Sequence, residues 1–323
     1  MTSTLPDDFS FTRYLAAKKS VDDRSLNRHV WDCLLGSLPP SSRESPLKIL
    51  EVGSGIGTMI ERFIEWDLVG YAGYTAVDSS ADNVELAIRR LESWALGRGM
   101  QVFRSAMDLA LQDSNHSFQI SFVRADLHKY LSSVADSQHW DLLVAHAFLD
   151  LMDVPTVLPG LFRILKPAGL FLMTINFDGV TILEPTIDPA LDEQVLDLYH
   201  RTMDDRRIMG RPSGDSRTGR HLFHHLKSAG AEVLSSGASD WVVFAGSQGY
   251  PGDEAYFLHY LIHTIEQALA GHPELDRDRF EDWIRERDAQ INRGELVLIA
   301  HQIDFCGKVG VKTLQVNDGL LMR

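Results

Sequence analysis

From Leu47 onward the chain alternates short, continuous apolar runs with longer segments whose apolar residues recur at helical spacing. The runs are LKILEVG, YAGYTAVD (to Asp78), FQISFVRAD (to Asp126), WDLLVAHAF (from Trp140) and GLFLMTINF (to Phe177). Continuous runs of this length read as strands covered on both faces, and the segments between them as crossover helices. Five such strands predict a parallel, doubly wound α/β sheet. A helical region over about Phe11 to Leu38 precedes them, closed by the breaker LPPSSRESP.

Beyond Asp178 the rhythm changes. Leu191 to Met203 reads helical, Arg206 to Arg220 loop-like, and Ser216 to Ala229 helical again. Strand material follows in AEVLSSGASDWVVFAG, then helices over Glu254 to Ala270 and Glu274 to Asn292, and a last strand in ELVLIAHQIDF. Late strands with no helix directly between them predict an antiparallel edge. The expected fold is therefore a doubly wound, mostly parallel seven-stranded sheet with an antiparallel edge strand, N-terminal helices, and helical insertions after strands 5 and 6. Its parts are an N-terminal helical cap (1–40), an α/β core (41–178), a covering insertion (179–215) and the remainder of the core with two inserted helices (216–323).

The chain has 323 residues, 44% of them hydrophobic, enough for a substantial core. A formal net charge of −14 at pH 7 argues against a broad phosphate-backbone footprint, so nucleic acid is not an expected partner. Cys33 and Cys306 are far apart and form no CxxC, which points to neither a disulfide framework nor a cysteine metal site. No cationic, apolar leader opens the sequence and no run is long enough to span a bilayer; a cytoplasmic location without membrane attachment is expected.

Candidate chemistry concentrates where the first strand stops, in ILEVGSGIGTM. Gly53, Gly55 and Gly57 at alternate positions allow a sharp turn and close approach of backbone to a ligand, and the following helix offers unpaired N–H donors. Asp78 ends the next strand about 20 residues later, where a carboxylate can accept from ribose hydroxyls. Asp126 ends the third, where it can accept from an exocyclic amine. Each acid alone also reads as a strand-end or N-cap residue. A dinucleotide site fits less well, because Thr58 stands where GxGxxG requires its last glycine.

These stretches resemble the class I S-adenosylmethionine-dependent methyltransferases. LEVGSGIGT is similar to that family's first motif, AVDSS to its second, RADL to its third, and LFRILKPAGLFLMT to its helix, turn and fifth strand. The resemblance covers Leu47 to Phe177 well and Ser216 onward more weakly. It implies S-adenosylmethionine as methyl donor, with Glu51, Gly53, Ser54, Gly55 and Gly57 around its methionine portion, Asp78 and Ser79 at the ribose, and Asp126 and Leu127 at the adenine. It further implies a capping role for the N-terminal segment, with Tyr14, Lys18 and Arg24 as candidates. A helix packed on the sheet without ligand contact is the alternative there.

His146, at the end of the fourth strand, is the candidate acid/base, or else a residue packed against the cofactor. Asp150 and Asp153 read as helix-start residues. Asn176 and Asp178, at the mouth of the fifth strand, face the expected acceptor site or satisfy a turn. RTMDDRRIMGRPSGDSRTGR concentrates arginine in an acidic protein; Arg211 and Arg217 are candidates for an anionic acceptor, against a solvated loop paired with its own acids. His221, His224 and His225 lack a third-ligand pattern and read as a solvated face, with no metal expected. The expected function is methyl transfer to a small-molecule acceptor; the alternative is a non-catalytic S-adenosylmethionine-binding or scaffold protein of the same fold. Neither the acceptor nor the oligomeric state follows from these residues.

Overall fold

The computed structural model describes residues 9–134, 139–208 and 210–310. In chain order, helices α1 (Phe11–Ser25) and α2 (Arg28–Ser37) precede β1 (Leu47–Val52), α3 (Thr58–Glu65), β2 (Tyr71–Asp78) and α4 (Ala81–Gly97). Next come β3 (Gln101–Arg104), β4 (Asp108–Gln112), β5 (Ser117–Arg124), α5 (Leu127–Ser133), β6 (Trp140–His146), α6 (Val154–Arg163) and β7 (Leu165–Glu184). The last third comprises α7 (Pro189–Asp204), a small hairpin of β8 (Arg207–Ile208) and β9 (Arg211–Pro212), α8 (Thr218–Ser228), β10 (Ala231–Ala238), β11 (Trp241–Val243), α9 (Glu254–Leu269), α10 (Arg277–Asn292) and β12 (Val297–Val309).

The large sheet runs β10-β12-β7-β6-β1-β2-β5-β4-β3, with β11 also on β12. Its centre, β5-β2-β1-β6-β7, is parallel, and β12 lies antiparallel between β7 and the β10/β11 edge. From β1 the chain steps outward to β2 and β5, then crosses back to place β6 on the other flank of β1. That reversal opens a crevice at the carboxyl ends of β1 and β6, where ligands bind in open α/β sheets.

Both sheet faces are covered, which is why the central strands read as unbroken apolar runs. Along α4, Val84, Ala87, Ile88, Leu91 and Ala95 recur at helical spacing and pack on one face with Trp31, Ile49 and Phe63. Leu50, Leu143 and Phe171 point to the other face, toward Leu158, Leu161 and Leu222. A third cluster joins α1, α7, α9 and α10 around Phe257, Ile265 and Trp283, against the far end of β7 and the start of β12. Arg287 is fully buried in it, yet its guanidinium donates to Asp192 Oδ1 at 2.5 Å and to the Pro185 carbonyl at 2.8 Å, which offsets the cost of burying a charge.

The seven expected strands and all the expected helices are present. The expected sixth strand is divided into β10 and β11. A hairpin, β3–β4, extends the other margin antiparallel to β5, in a stretch read as helical connection; its strands of 4 and 5 residues are too short for a two-residue alternation to stand out. The stretch Arg206 to Arg220, expected as loop, contains the β8–β9 hairpin.

Candidate functional site

The turn after β1 is left-handed at three alternate positions, with φ of 66° at Gly53, 52° at Gly55 and 78° at Gly57. At Gly53 space as well as conformation excludes a side chain, since a Cβ would lie 2.1 Å from the Phe148 ring. Asp78 fastens the turn: its Oδ2 accepts the Gly55 N–H at 2.8 Å, and its Oδ1 accepts the Ser80 N–H at 2.8 Å and the Asn83 amide at 3.2 Å. A carboxylate has about four acceptor directions, so one remains for a ligand rather than the two that both ribose hydroxyls would use.

One cavity of about 660 Å³ runs from this turn into the space between the sheet and the third helical cluster. At its sheet end lie Glu51, Gly53, Ser54, Gly55, Asp78 and Ser79, together with Asp126 and Leu127. Asp126 also caps α5, accepting the Lys129 N–H at 3.2 Å, so its two readings hold together. Ser54 Oγ is buried there without a hydrogen-bond partner, an orphan a bound ligand would satisfy. Close backbone, an orphan hydroxyl and an acid with one open direction fit an adenosyl ligand bearing an amino-acid tail.

Glu51 is 1% exposed, and its Oε2 accepts the Tyr74 hydroxyl at 2.9 Å. Burial pushes its carboxyl up to about 8, against the opposing pull of the Tyr74 hydrogen bond and the Arg62 charge. At neutral pH it carries a proton.

His146 belongs to a buried charge cluster in the cavity wall. Its Nε2 lies 3.0 Å from Asp22 Oδ2 and 3.1 Å from Arg62 Nη1, and its Nδ1 lies 2.8 Å from Thr174 Oγ1. Lys18 donates to the same Asp22 oxygen at 2.7 Å, and the Trp241 indole donates to the other at 2.9 Å. Burial first, then the Arg62 charge, lowers the imidazole to about 4 despite the Asp22 hydrogen bond, so the ring is neutral at physiological pH. Burial alone would raise Asp22, but Lys18, His146 and Arg62 outweigh it and hold the carboxyl well below the usual range. The cluster ties α1 to the end of β6 and the middle of β7. All of His146's ring nitrogens are thereby engaged.

The backbone is bent at both places. Ala147 has φ 48° and Ile175 φ 56°, the latter uncommon for a β-branched residue. Asp304 holds Ile175 in place, its Oδ1 accepting the Ile175 N–H at 2.7 Å. Such strain costs roughly 1–3 kcal/mol per residue and gathers at ligand sites.

Toward the helices the cavity becomes aromatic. Tyr14 and Tyr260 stack with centroids 4.4 Å apart, and Phe11, Phe177 and Tyr199 complete the wall. Asp150, expected to start a helix, instead lies in a single 3-10 turn (Leu149–Leu151) and lines this chamber, while Asp153 does precede α6. Asp150 Oδ1 is buried without a partner, and burial raises its carboxyl, opposed by its own amide, Lys18 and Arg206. Arg206 also lines the chamber.

Several expected site residues lie elsewhere. Arg24 is off the cavity, paired with the buried Glu254 at 2.5 Å. Asn176 turns its amide to the carbonyls of Met173 and Ile303, at 3.0 and 2.8 Å. Asp178 is held by Arg220 at 2.9 Å. Arg211 is exposed on the hairpin, and Arg217 is exposed beside Gly179. None of these five lines the cavity. Asp22, Arg62, Phe148, Tyr199 and Arg206 were not singled out; the one local signal was Lys18 and Asp22 at i, i+4 on a helix face that also carries Val21.

No family model matches the chain, and no curated protein matches it. Solved structures with a similar course do exist. A provisionally assigned methyltransferase of Bacillus halodurans is 12% identical with a TM-score of 0.47, over 87% of this chain and 98% of that one. An S-adenosylmethionine-dependent methyltransferase of Methanosarcina mazei is 12% identical with a TM-score of 0.43, over 83% of this chain and 94% of that one. The cyclopropane synthase MmaA2 of Mycobacterium tuberculosis is 11% identical with a TM-score of 0.40, over 94% of this chain and 100% of that one. Among the described residues no helix is long and apolar enough to cross a membrane.

Proposed function

We propose that this protein is an S-adenosylmethionine-dependent methyltransferase acting on a small, anionic acceptor, and that it works in the cytoplasm. The observation that carries the reading is the single cavity whose sheet end holds Gly53, Gly55, Asp78 and Asp126 and whose other end is an aromatic chamber. The donor when bound supplies an electrophilic methyl group on a sulfonium centre. The chain's own task is then to position the two molecules and exclude water, which can lower such a barrier by several kcal/mol.

In this reading α1, from the N-terminal cap (1–40), and α7 with Arg206, from the covering insertion (179–215), close the chamber over the core. Arg206 takes the anion-binding role earlier considered for Arg211 and Arg217. Its guanidinium has no hydrogen-bond partner among the described residues and lines the chamber. His146 is a positioning residue, keeping Asp22 and α1 against β6 and β7, since its ring nitrogens already have partners.

The test is calorimetric titration of S-adenosylmethionine and S-adenosylhomocysteine, followed by transfer of labelled methyl to a mixture of small anionic metabolites. Both nucleosides should bind, label should enter an anionic product, and Arg206→Ala should raise the acceptor KM at least tenfold while nucleoside binding is kept. Folded protein that binds neither nucleoside would overturn the donor assignment. Binding without any transfer would favour a non-catalytic protein.

A further inference from the structure

Several polar groups around the aromatic chamber have no partner among the described residues. Asp150 Oδ1 is buried with none, and the one hydrogen bond that reaches its carboxylate comes from its own backbone amide. Gln302 Oε1 is likewise buried and unpartnered on the cavity wall. The Tyr14 and Tyr199 side chains line the same space, and neither hydroxyl has a hydrogen-bond partner among the described residues. A carboxylate left in this state costs about 1–3 kcal/mol or more, and folded proteins keep such groups mainly where a ligand supplies the missing donors.

The backbone around Asp150 is, by contrast, firmly held. The Asp215 N–H reaches the Asp150 carbonyl at 3.4 Å, and Ser213 Oγ donates to the Leu151 carbonyl at 2.8 Å. The short turn is clamped while its acid is left for something else.

A carboxylate set among stacked tyrosine rings is the environment that favours a nitrogen cation. The carboxylate supplies a charge-assisted hydrogen bond, and aromatic faces attract a desolvated cation by about 0.5–2 kcal/mol. A neutral alcohol would satisfy the hydrogen bond only. We propose that the methyl acceptor is an amine, with its nitrogen seated on Asp150 between Tyr14, Tyr199 and Tyr260. This rests on the methyltransferase reading above and names the acceptor's nucleophile.

Asp150 then acts as proton acceptor. The ammonium form of the ligand gives one N–H proton to an Asp150 oxygen, leaving a neutral amine with a free electron pair and a neutral carboxyl. No oxidant or further reactant is involved. The charged and titratable groups facing Asp150 are Lys18 and Tyr14 from α1, Tyr199 from α7, and Arg206. Arg206, on the same chamber, is placed for the anionic part of the same molecule, so an amine that also carries an acidic group matches both ends.

The experiment uses the full chain saturated with S-adenosylhomocysteine and a panel of arylalkyl amines, the same amines with a carboxylate, and their matched alcohols. Calorimetry should show amine binding at least tenfold tighter than alcohol binding. Asp150→Asn should lose that preference, with alcohol affinity and S-adenosylhomocysteine affinity unchanged. For the wild type, amine affinity should fall as pH drops through the titration of Asp150, and Asp150→Glu should restore part of it. An alcohol that binds as well as its amine, an Asp150→Asn variant that keeps the preference, or a panel in which no amine binds overturns the assignment. Because S-adenosylhomocysteine binding is read separately, its failure marks the failure of the donor reading instead.

Discussion

A carboxyl group that holds a proton at neutral pH makes a measurable claim on stability. Glu51 is buried in the floor of the turn with the Tyr74 hydroxyl on one oxygen, and its folded value of about 8 stands above its ordinary 4.5. The folded state thus binds the proton more tightly than the unfolded chain. Its contribution is fully present below about 4.5 and is lost as pH rises through about 8. The two values are about 3.5 pH units apart, and at 1.36 kcal/mol per unit the loss is on the order of 5 kcal/mol.

Glu51→Gln keeps the shape and the acceptor for Tyr74 but has no proton to lose. Urea unfolding of wild type and variant at a series of pH values should give a stability difference that is flat in acid and moves steadily in the variant's favour up to about pH 8.5. A difference that does not change with pH would refute the argument. Binding supplies a second readout: a ligand ammonium near Glu51 would drive the proton off, so S-adenosylhomocysteine should bind wild type with proton release, seen as a dependence of heat on buffer ionisation enthalpy, and Glu51→Gln without it.

Two further substitutions probe the parts on either side. Asp78→Ala removes one charge-assisted hydrogen bond to the ligand, about 1.5–3 kcal/mol, and should weaken S-adenosylhomocysteine binding roughly 10- to 150-fold; unchanged affinity in a folded variant sinks the ribose assignment. Asp22→Asn leaves Lys18 buried without its counter-charge and should cost about 3–5 kcal/mol in urea unfolding. A loss below about 1 kcal/mol would mean that the cluster does not hold α1 down.

The sheet end of the cavity is legible in the sequence because its parts are local. A glycine turn, and acids at the ends of consecutive strands, are fixed by the spacing of a single α/β unit, so Gly53, Asp78 and Asp126 fall together as soon as the strands are recognised. The aromatic end is not, because it is made by tertiary packing. Tyr14 and Tyr199 lie 185 positions apart in one wall, and no periodicity links them. Arg211 and Arg217 stand out by composition, yet of that stretch's arginines only Arg206 lines the chamber, a consequence of how α7 ends rather than of charge density. Asp150 shows the same limit: a short acid before an apolar helix is ordinarily a cap, and only the 3-10 turn reveals that Asp153, not Asp150, stands immediately before α6.

The separation of the two ends has a consequence for how such a protein can diverge. The turn and its acids lie within the span from Glu51 to Leu127, whereas the aromatic chamber takes its walls from α1, the far end of β7, α7 and α9. Apart from β7 and the 3-10 turn that carries Asp150, the chamber's segments lie outside the parallel centre of the sheet. Lengthening one of them, or exchanging its inward side chains, alters what the chamber admits without moving a strand of that centre. Selection, or a protein engineer, can therefore reshape the aromatic end in one part of the chain while the glycine turn and its acids stay constant.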